Sequence, residues 1–147
     1  MATLIPTEEY QEIVKKLPIV CVDIVLLDDD DNVVLVRRND EPEKGKQWFP
    51  GGRVILGESL EEAAMRHIAR DVEPSIRYRG LRQIEATTTM FDTSAFGSHP
   101  YHTVNVVFCA RLHKNCSMMK AAVTSHLSSD TNFYVRHYWQ KAVELLK

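Results

Sequence analysis

Residues 45–71, GKQWFPGGRVILGESLEEAAMRHIARD, decide the fold of this chain because a double-glycine turn stands directly before a well-capped helix. Gly51 and Gly52 lack Cβ atoms, so the backbone there can turn sharply or approach a ligand closely. Ser59 followed three residues later by Glu62 has the pattern of a capping box, which predicts that a helix begins after Ser59. Apolar side chains recur every fourth residue of that helix and predict one buried face. They are Leu60, Ala64, Ile68 and Val72.

The segments around this stretch predict a mixed sheet covered by helices on both faces. Val-rich and Ile-rich runs at 19–27 and 33–38 predict a strand hairpin, and residues 80–91 and 102–113 predict two further long strands. Residues 7–16 and the tail from Asp130 have helical periodicity. The aspartates at 28–31 are either a solvated turn or a metal site; the turn is favoured, because cation ligands must converge rather than follow one another.

Composition predicts one domain over residues 1–147 and excludes several classes of partner. The 18 Lys and Arg balance 20 Asp and Glu, so we expect neither nucleic acid nor a membrane as a partner. Cys21, Cys109 and Cys116 are odd in number and lack metal-like spacing, which indicates reduced thiols. The apolar run at 17–27 is broken by Asp23 and too short for a bilayer, so we expect a cytoplasmic protein.

The quoted stretch resembles the signature of the Nudix hydrolases, which runs Gly, five residues, Glu, seven residues, then Arg-Glu-apolar-any-Glu-Glu-any-Gly. Four positions are in register: Gly52, Glu58, Arg66 and Ile68. Four depart, because His67, Arg70, Asp71 and Glu73 stand where the family has Glu, Glu, Glu and Gly. The resemblance implies an α/β/α sandwich whose helix carboxylates hold Mg²⁺ on a diphosphate. One of those carboxylates, Asp71, remains.

Within that family, residues 17–54 resemble the GDP-mannose mannosyl hydrolases, a branch that also keeps a single helix carboxylate. This resemblance implies hydrolysis of GDP-mannose or GDP-glucose by attack at sugar carbon C1. It implies Mg²⁺, with Mn²⁺ as the alternative, held by Asp71 and the carbonyl of Gly51. It also implies that the nucleotide sugar is the small-molecule partner of the chain.

Arginines at matching positions are expected to bind and polarise the diphosphate, since guanidinium groups neutralise charge that grows on phosphate oxygens. They are Arg38, Arg53 and Arg66. Their alternative role is salt bridging, for Arg66 with Glu62. Asp23 interrupts an apolar strand and is expected to face substrate or solvent.

The chain departs from the branch between His113 and Asp130, where a Gln-His pair that supplies a metal ligand and the general base is absent. Titratable candidates for the base are His102, His113 and His126, of which His126 is preferred. Glu58 is expected to hold the loop to the helix. His67 is expected to be solvated or hydrogen-bonded rather than a metal ligand.

Three functional hypotheses follow. The leading one is a Mg²⁺-dependent hydrolase that converts a nucleotide-diphosphate sugar to sugar and nucleoside diphosphate. The others are a Nudix pyrophosphohydrolase that attacks phosphorus, and a Nudix-fold module that binds a nucleotide without turnover. The apolar stripe of residues 7–16 needs a partner surface and leads us to expect a homodimer.

Overall fold

The computed structural model describes residues 4–114, 118 and 120–147, and its centre is a seven-stranded mixed sheet. The helices are α1 (Thr7–Val14), α2 (Leu60–Asp71) and α3 (Phe133–Leu145). The strands are β1 (Ile19–Leu27), β2 (Val33–Arg37), β3 (Gln47–Trp48), β4 (Gly51–Arg53), β5 (Tyr78–Phe91), β6 (Tyr101–Leu112) and β7 (Ala122–Thr124). Cys116 lies outside the described residues, whereas Cys21 and Cys109 are buried free thiols.

Strand β1 is central because it pairs on both of its edges. The strand order is β3-β2-β1-β6-β5, with β4 added to β1 and β7 added to β2. β1 and β6 are parallel along their length, from Ile19↔Thr103 to Leu27↔Arg111, and the other pairings are antiparallel. In the short β1–β4 ladder, Asp23 lies opposite Gly51. Gly51 and Gly52 therefore lie in a strand rather than a turn, and this pairing brings them to the middle of the sheet.

Two apolar layers lie on opposite faces of the sheet, as the predicted α/β/α sandwich requires. Alternate β1 residues point to each face, which is the two-residue period of a strand. Ile24 packs with Ile68 of α2 on one face, while Val25 packs with Val135 and Tyr138 of α3 on the other. All of these except Tyr138 are at most 1% exposed. The sandwich is confirmed.

Helix α1 finds its partner surface within its own chain. Val14 is 5% exposed and packs with Ile19 and Cys21, while Tyr10 and Ile13 close the same cluster from the helix side. The stripe that led us to expect a dimer is therefore covered inside the fold. The homodimer stays a prediction, but the apolar stripe of α1 no longer supports it.

Most predicted elements occur where expected. The capping box is present, since Glu62 N–H donates to Ser59 Oγ (3.1 Å) and Ser59 N–H donates to Glu62 Oε2 (2.8 Å). The Asp28 carboxylate accepts the N–H groups of Asp30 and Asn32 (both 2.9 Å), so the acidic run is a turn as predicted. Strands β3, β4 and β7 have two or three residues each and carry no periodicity that could predict them.

In the part of the chain that the structure describes, we find no helix with the length and apolar character that crossing a membrane requires.

Candidate functional site

The two glycines of β4 are required by close packing, Gly51 against β1 and Gly52 against His67. A Cβ on Gly51 would lie 2.3 Å from the Val22 carbonyl oxygen and 2.6 Å from Asp23 Oδ1. A Cβ on Gly52 would lie 2.7 Å from Cε1 of His67. Both distances are far inside van der Waals contact. Strand β4 is therefore packed tightly between β1 and α2.

Glu58 and Arg66 fasten the loop after β4 to α2. Arg66 Nε donates to Glu58 Oε1 (2.5 Å) and Nη2 donates to Glu58 Oε2 (3.0 Å). This two-point contact fixes the orientation of the guanidinium relative to the carboxylate. Glu58 Oε2 also accepts the N–H of Ile55 (2.9 Å), and Arg66 Nη2 donates to the carbonyl of Arg53 (3.0 Å). The hydrogen bond from Arg66 lowers the pKa of Glu58. Glu58 holds the loop, as predicted.

His67 is a buried structural residue, 1% exposed, rather than a solvated one. Its Nε2 lies 2.9 Å from the carbonyl oxygen of Arg53, so the proton sits on Nε2 and is donated there. Burial lowers the pKa of His67. It therefore stays neutral and supports the backbone of β4, which agrees with the prediction of a hydrogen-bonded histidine.

Asp71 and Arg70 form the polar group at the C-terminal end of α2. Arg70 Nε donates to Asp71 Oδ1 (2.6 Å) and Nη2 donates to Asp71 Oδ2 (3.1 Å). The same Nη2 donates to the carbonyl of Gly51 (3.1 Å), and the Gly51 N–H donates to Asp71 Oδ2 (3.1 Å). A carboxylate at this end of a helix faces the negative end of the dipole, so a neighbouring cation stabilises it.

The arrangement at Asp71 does not fit the divalent ion that the resemblance implies. Mg²⁺ takes about six oxygen ligands in octahedral geometry, whereas the chain offers the Asp71 carboxylate and the Gly51 carbonyl, and both contact Arg70. Within residues 4–114, 118 and 120–147, no group of three or more His, Cys, Asp and Glu side chains could hold a metal ion. The two groups predicted to bind Mg²⁺ or Mn²⁺, the Asp71 carboxylate and the Gly51 carbonyl, accept hydrogen bonds from Arg70 here.

A cavity of about 480 Å³ opens beside this group and is rich in positive charge. Asp40 and Asp71 are its carboxylates. Its cationic side chains outnumber them and come from β2, the loop that follows it, α2 and the segment before β7: Arg37, Arg38, Arg70 and Lys120. Such a lining attracts an anion and concentrates it by local charge, although the chain as a whole is nearly neutral.

A smaller cavity of about 150 Å³ adjoins the first and shares Arg38, Trp48 and Gly51 with it. Its other walls are aromatic or hydrogen-bonding side chains, which include Asp23, Asn105, Thr89, Thr103, Phe91 and Tyr101. Concave sites that combine aromatic walls with a few fixed polar groups are typical of small-molecule binding.

Asp23 lies at the floor of the smaller cavity and is 4% exposed. Its Oδ2 accepts hydrogen bonds from Tyr134 Oη (2.6 Å) and Asn105 Nδ2 (2.9 Å). Burial raises the pKa of Asp23, and these hydrogen bonds offset part of that rise. The predicted solvent-facing alternative is therefore wrong, because the side chain is enclosed.

The structure brings together four of the residues predicted for the site: Asp23, Arg38, Gly51 and Asp71. Arg38 lines both cavities; its Nε donates to the Pro42 carbonyl (2.6 Å) and its guanidinium lies 5.5 Å from the Trp48 ring centroid.

The other three predicted residues are not among the described residues that line either cavity. Arg53 stacks its guanidinium 4.0 Å from the ring centroid of Tyr10. Arg66 pairs with Glu58 rather than with the expected Glu62. His126 is exposed on the loop after β7, where its backbone N–H donates to Thr124 Oγ1 (3.1 Å). The predicted general base His126 is therefore not among the described residues that line the cationic cavity.

Sequence reasoning missed three of the cavity cations. Arg37 is adjacent to Arg38, and strand alternation places adjacent residues on opposite faces, so no pattern predicted that both line the cavity. In the sequence, Arg70 only marks a position where the signature carboxylate is absent. Its contacts with both Asp71 and Gly51 depend on the tertiary structure. Lys120 follows an aperiodic segment that carries no signal.

The mixed sheet between helical layers, with the double-glycine strand β4 and a cationic cavity beside it, places this domain in the α/β class. The chain belongs to the Nudix family: the NUDIX domain model matches residues 17–116.

Solved structures share this fold at low sequence identity. The NUDIX domain of Shewanella oneidensis NrtR complexed with ADP ribose has a TM-score of 0.63 and 21% identity, covering 97% of this chain and 100% of that one. NrtR complexed with a 27mer DNA has a TM-score of 0.64 and 23% identity, covering 86% of this chain and 61% of that one. The MutT NUDIX hydrolase from Burkholderia pseudomallei has a TM-score of 0.68 and 19% identity, covering 86% and 98%.

A curated relative matches a shorter part of the chain more closely. The low-salt glycan biosynthesis protein Agl8 of Haloferax volcanii is 39% identical over 64 residues, which is 44% of this chain and 40% of that protein. The match thus spans less than half of the relative's length.

Proposed function

We propose that this chain binds a nucleotide-diphosphate sugar, of the GDP-mannose or GDP-glucose type, in the two joined cavities and hydrolyses it to free sugar and nucleoside diphosphate. The observation that carries the proposal is the cationic lining of the larger cavity, which contains four cations and two carboxylates. A diphosphate is the compact, strongly anionic group that such a lining suits.

Arg38 and Trp48 are central to the proposal because they line both cavities. In the proposed complex Arg38 donates to the diphosphate, while the aromatic walls stack against a planar or apolar part of the ligand. Asp23 and Asn105 offer hydrogen-bonding groups at the floor of the smaller cavity. Polar groups of this kind discriminate hydroxyl or amide groups on a ligand.

The relatives support the same ligand class. Agl8 is named for glycan biosynthesis, and the NrtR domain was crystallised with ADP ribose, a nucleoside diphosphate joined to a sugar. The DNA in the other NrtR structure belongs to that protein, and the prediction that nucleic acid is not a partner here stays a prediction.

In the proposed reaction a water oxygen forms a bond to sugar carbon C1 and releases a proton to solvent, while the bond between C1 and the diphosphate oxygen breaks, so negative charge grows on the leaving phosphate. Cations already fixed around the larger cavity stabilise that charge without reorganising at the moment of reaction. Arg38 is the predicted catalytic arginine that lines this cavity. We assign Arg66 to the loop instead, because it is bonded to Glu58.

A second candidate, binding without turnover, is favoured by two specific observations. His126, the predicted base, is exposed outside both cavities, and Asp71 is bonded to Arg70. Loss of a general base typically costs about 10² to 10⁴ in rate.

One experiment separates the candidates: incubation with GDP-mannose in ¹⁸O-water, in parallel with Mg²⁺ and with EDTA, followed by mass spectrometry. Label in free mannose supports attack at the sugar carbon. Label in GMP or mannose 1-phosphate means attack at phosphorus and overturns the proposed reaction. Intact substrate together with measurable binding establishes the module without turnover.

A matched pair of variants tests the arginine that lines both cavities. Arg38→Met should weaken GDP-mannose binding by about 10-fold to 100-fold, since a hydrogen bond to a charged group contributes about 1.5–3 kcal/mol. Arg136 is exposed on α3 and does not line either cavity among the described residues, so Arg136→Met should bind like the wild type. Equal binding by Arg38→Met and the wild type would remove the proposed diphosphate contact.

A further inference from the structure

The guanidinium of Arg70 lies between the two oxygen groups that the signature uses for a divalent ion. It contacts both oxygens of the Asp71 carboxylate at 2.6 and 3.1 Å and the Gly51 carbonyl at 3.1 Å. The Gly51 N–H donates to the same carboxylate, so the three residues form a closed group. The position of a cation is therefore built into the chain itself.

The charges of this group favour the arginine over an added ion. The group joins one carboxylate and one carbonyl dipole to one guanidinium, so it is already neutral as a whole. A divalent ion on the same oxygens would stand beside a positive guanidinium and would be repelled. The signature gives carboxylates to two other helix positions. One is Arg70 itself, and the other is the buried His67, which is hydrogen-bonded to the Arg53 carbonyl. Nothing at these positions adds negative charge.

The guanidinium also retains donors for a ligand. Its contacts in the described chain use Nε and Nη2, whereas Nη1 carries two further N–H groups. The side chain is 55% exposed and lines the 480 Å³ cavity together with Arg38. A planar fork held on one side by a carboxylate can donate to a phosphate on the other side.

We propose that Arg70 is a tethered cation that replaces the divalent ion between Asp71 and Gly51 and donates to the ligand diphosphate through Nη1. Ligand binding then does not depend on a divalent metal. This second half rests on the proposed function, whereas the replacement of the ion by Arg70 does not.

The first test measures metal binding without any nucleotide, by electron paramagnetic resonance of Mn²⁺ titrated into the protein. Arg70→Glu should bind Mn²⁺ at least about 10-fold more tightly than the wild type, because it removes the tethered cation and adds a second carboxylate. Arg136→Glu makes the same charge change on the exposed face of α3 and should behave like the wild type. A wild-type protein that binds one Mn²⁺ as tightly as Arg70→Glu overturns the inference.

The second test measures GDP binding by calorimetry with EDTA and with Mg²⁺. The wild type should bind GDP with the same affinity in both buffers, and Arg70→Met should lose about 10-fold or more in EDTA. Thermal melts of each variant establish that it is folded. Wild-type binding that needs Mg²⁺ overturns the inference. Absence of GDP binding in both buffers overturns the proposed function, and the Mn²⁺ titration still decides the role of Arg70.

Discussion

Replacement of Asp23 tests the buried polar floor of the smaller cavity in depth. The carboxylate is 4% exposed and accepts from Tyr134 Oη at 2.6 Å and Asn105 Nδ2 at 2.9 Å. Asp23→Ala leaves both buried donors without this acceptor, and an unsatisfied buried donor costs about 1–3 kcal/mol. Removal of a buried carboxylate also relieves the cost of keeping a charge out of water, which works in the opposite direction.

The balance of these two effects depends on pH with a definite sign. Burial raises the pKa of Asp23 above its ordinary value of 3.8. Its contribution to stability is therefore complete below that value and is lost as the pH rises through the folded-state pKa. Asp23→Ala should thus destabilise the fold most at acidic pH, by about 2–6 kcal/mol for two unsatisfied buried donors, and less as the pH increases.

Urea unfolding of the wild type and Asp23→Ala between pH 4 and pH 8 measures this difference. Asp130→Ala, which removes an exposed carboxylate before α3, serves as the matched control and should track the wild type. A destabilisation by Asp23→Ala that grows with pH would refute the reasoning, since it would mean that the ionised carboxylate is the better-stabilised form in the fold.

Three further perturbations have defined outcomes. Gly51→Ala should lower the free energy of unfolding by about 1–3 kcal/mol or more, because its Cβ would lie 2.3 Å from a carbonyl oxygen; thermal melts check this. Because burial lowers the pKa of His67 below 6.5, wild-type stability should fall as the pH drops below that value, and His67→Gln should flatten the urea-derived profile; an unchanged profile would contradict it. Glu58→Gln should loosen the loop before α2, and amide hydrogen exchange at Ile55 should become faster. Unaltered exchange would contradict the role of Glu58 in holding this loop.

The fold was accessible from the sequence because its strongest elements are locally specified. The capping box at Ser59 and the four-residue apolar spacing of α2 predict that helix, and the hairpin of β1 and β2 follows from two β-type runs joined by an acidic turn. Local signals and tertiary packing agree at these elements, as in sequences that specify one structure. Strand β4 has three residues, and its pairing with β1 depends on a long-range contact that no local pattern encodes.

The candidate site was predictable only in part, because side-chain partners are decided by the tertiary structure. Asp23 and Arg38 could be marked as unusual residues in or after apolar strands, and both line the smaller cavity. The partner of Arg66 could not be chosen by helical spacing, since Glu58 precedes the helix and reaches it across the loop. Arg70 looked like the loss of a carboxylate, and its contact with Gly51 joins residues 19 positions apart.

The central claim is that the cationic cavity holds a diphosphate, and titration calorimetry with GDP, GMP and guanosine at low salt tests it most directly. We expect GDP to bind more tightly than GMP, and guanosine to bind at least about 100-fold more weakly than GDP, because charged hydrogen bonds contribute about 1.5–3 kcal/mol each. Guanosine that binds as tightly as GDP would contradict the account, since the cations around Arg38 would then contribute nothing to recognition.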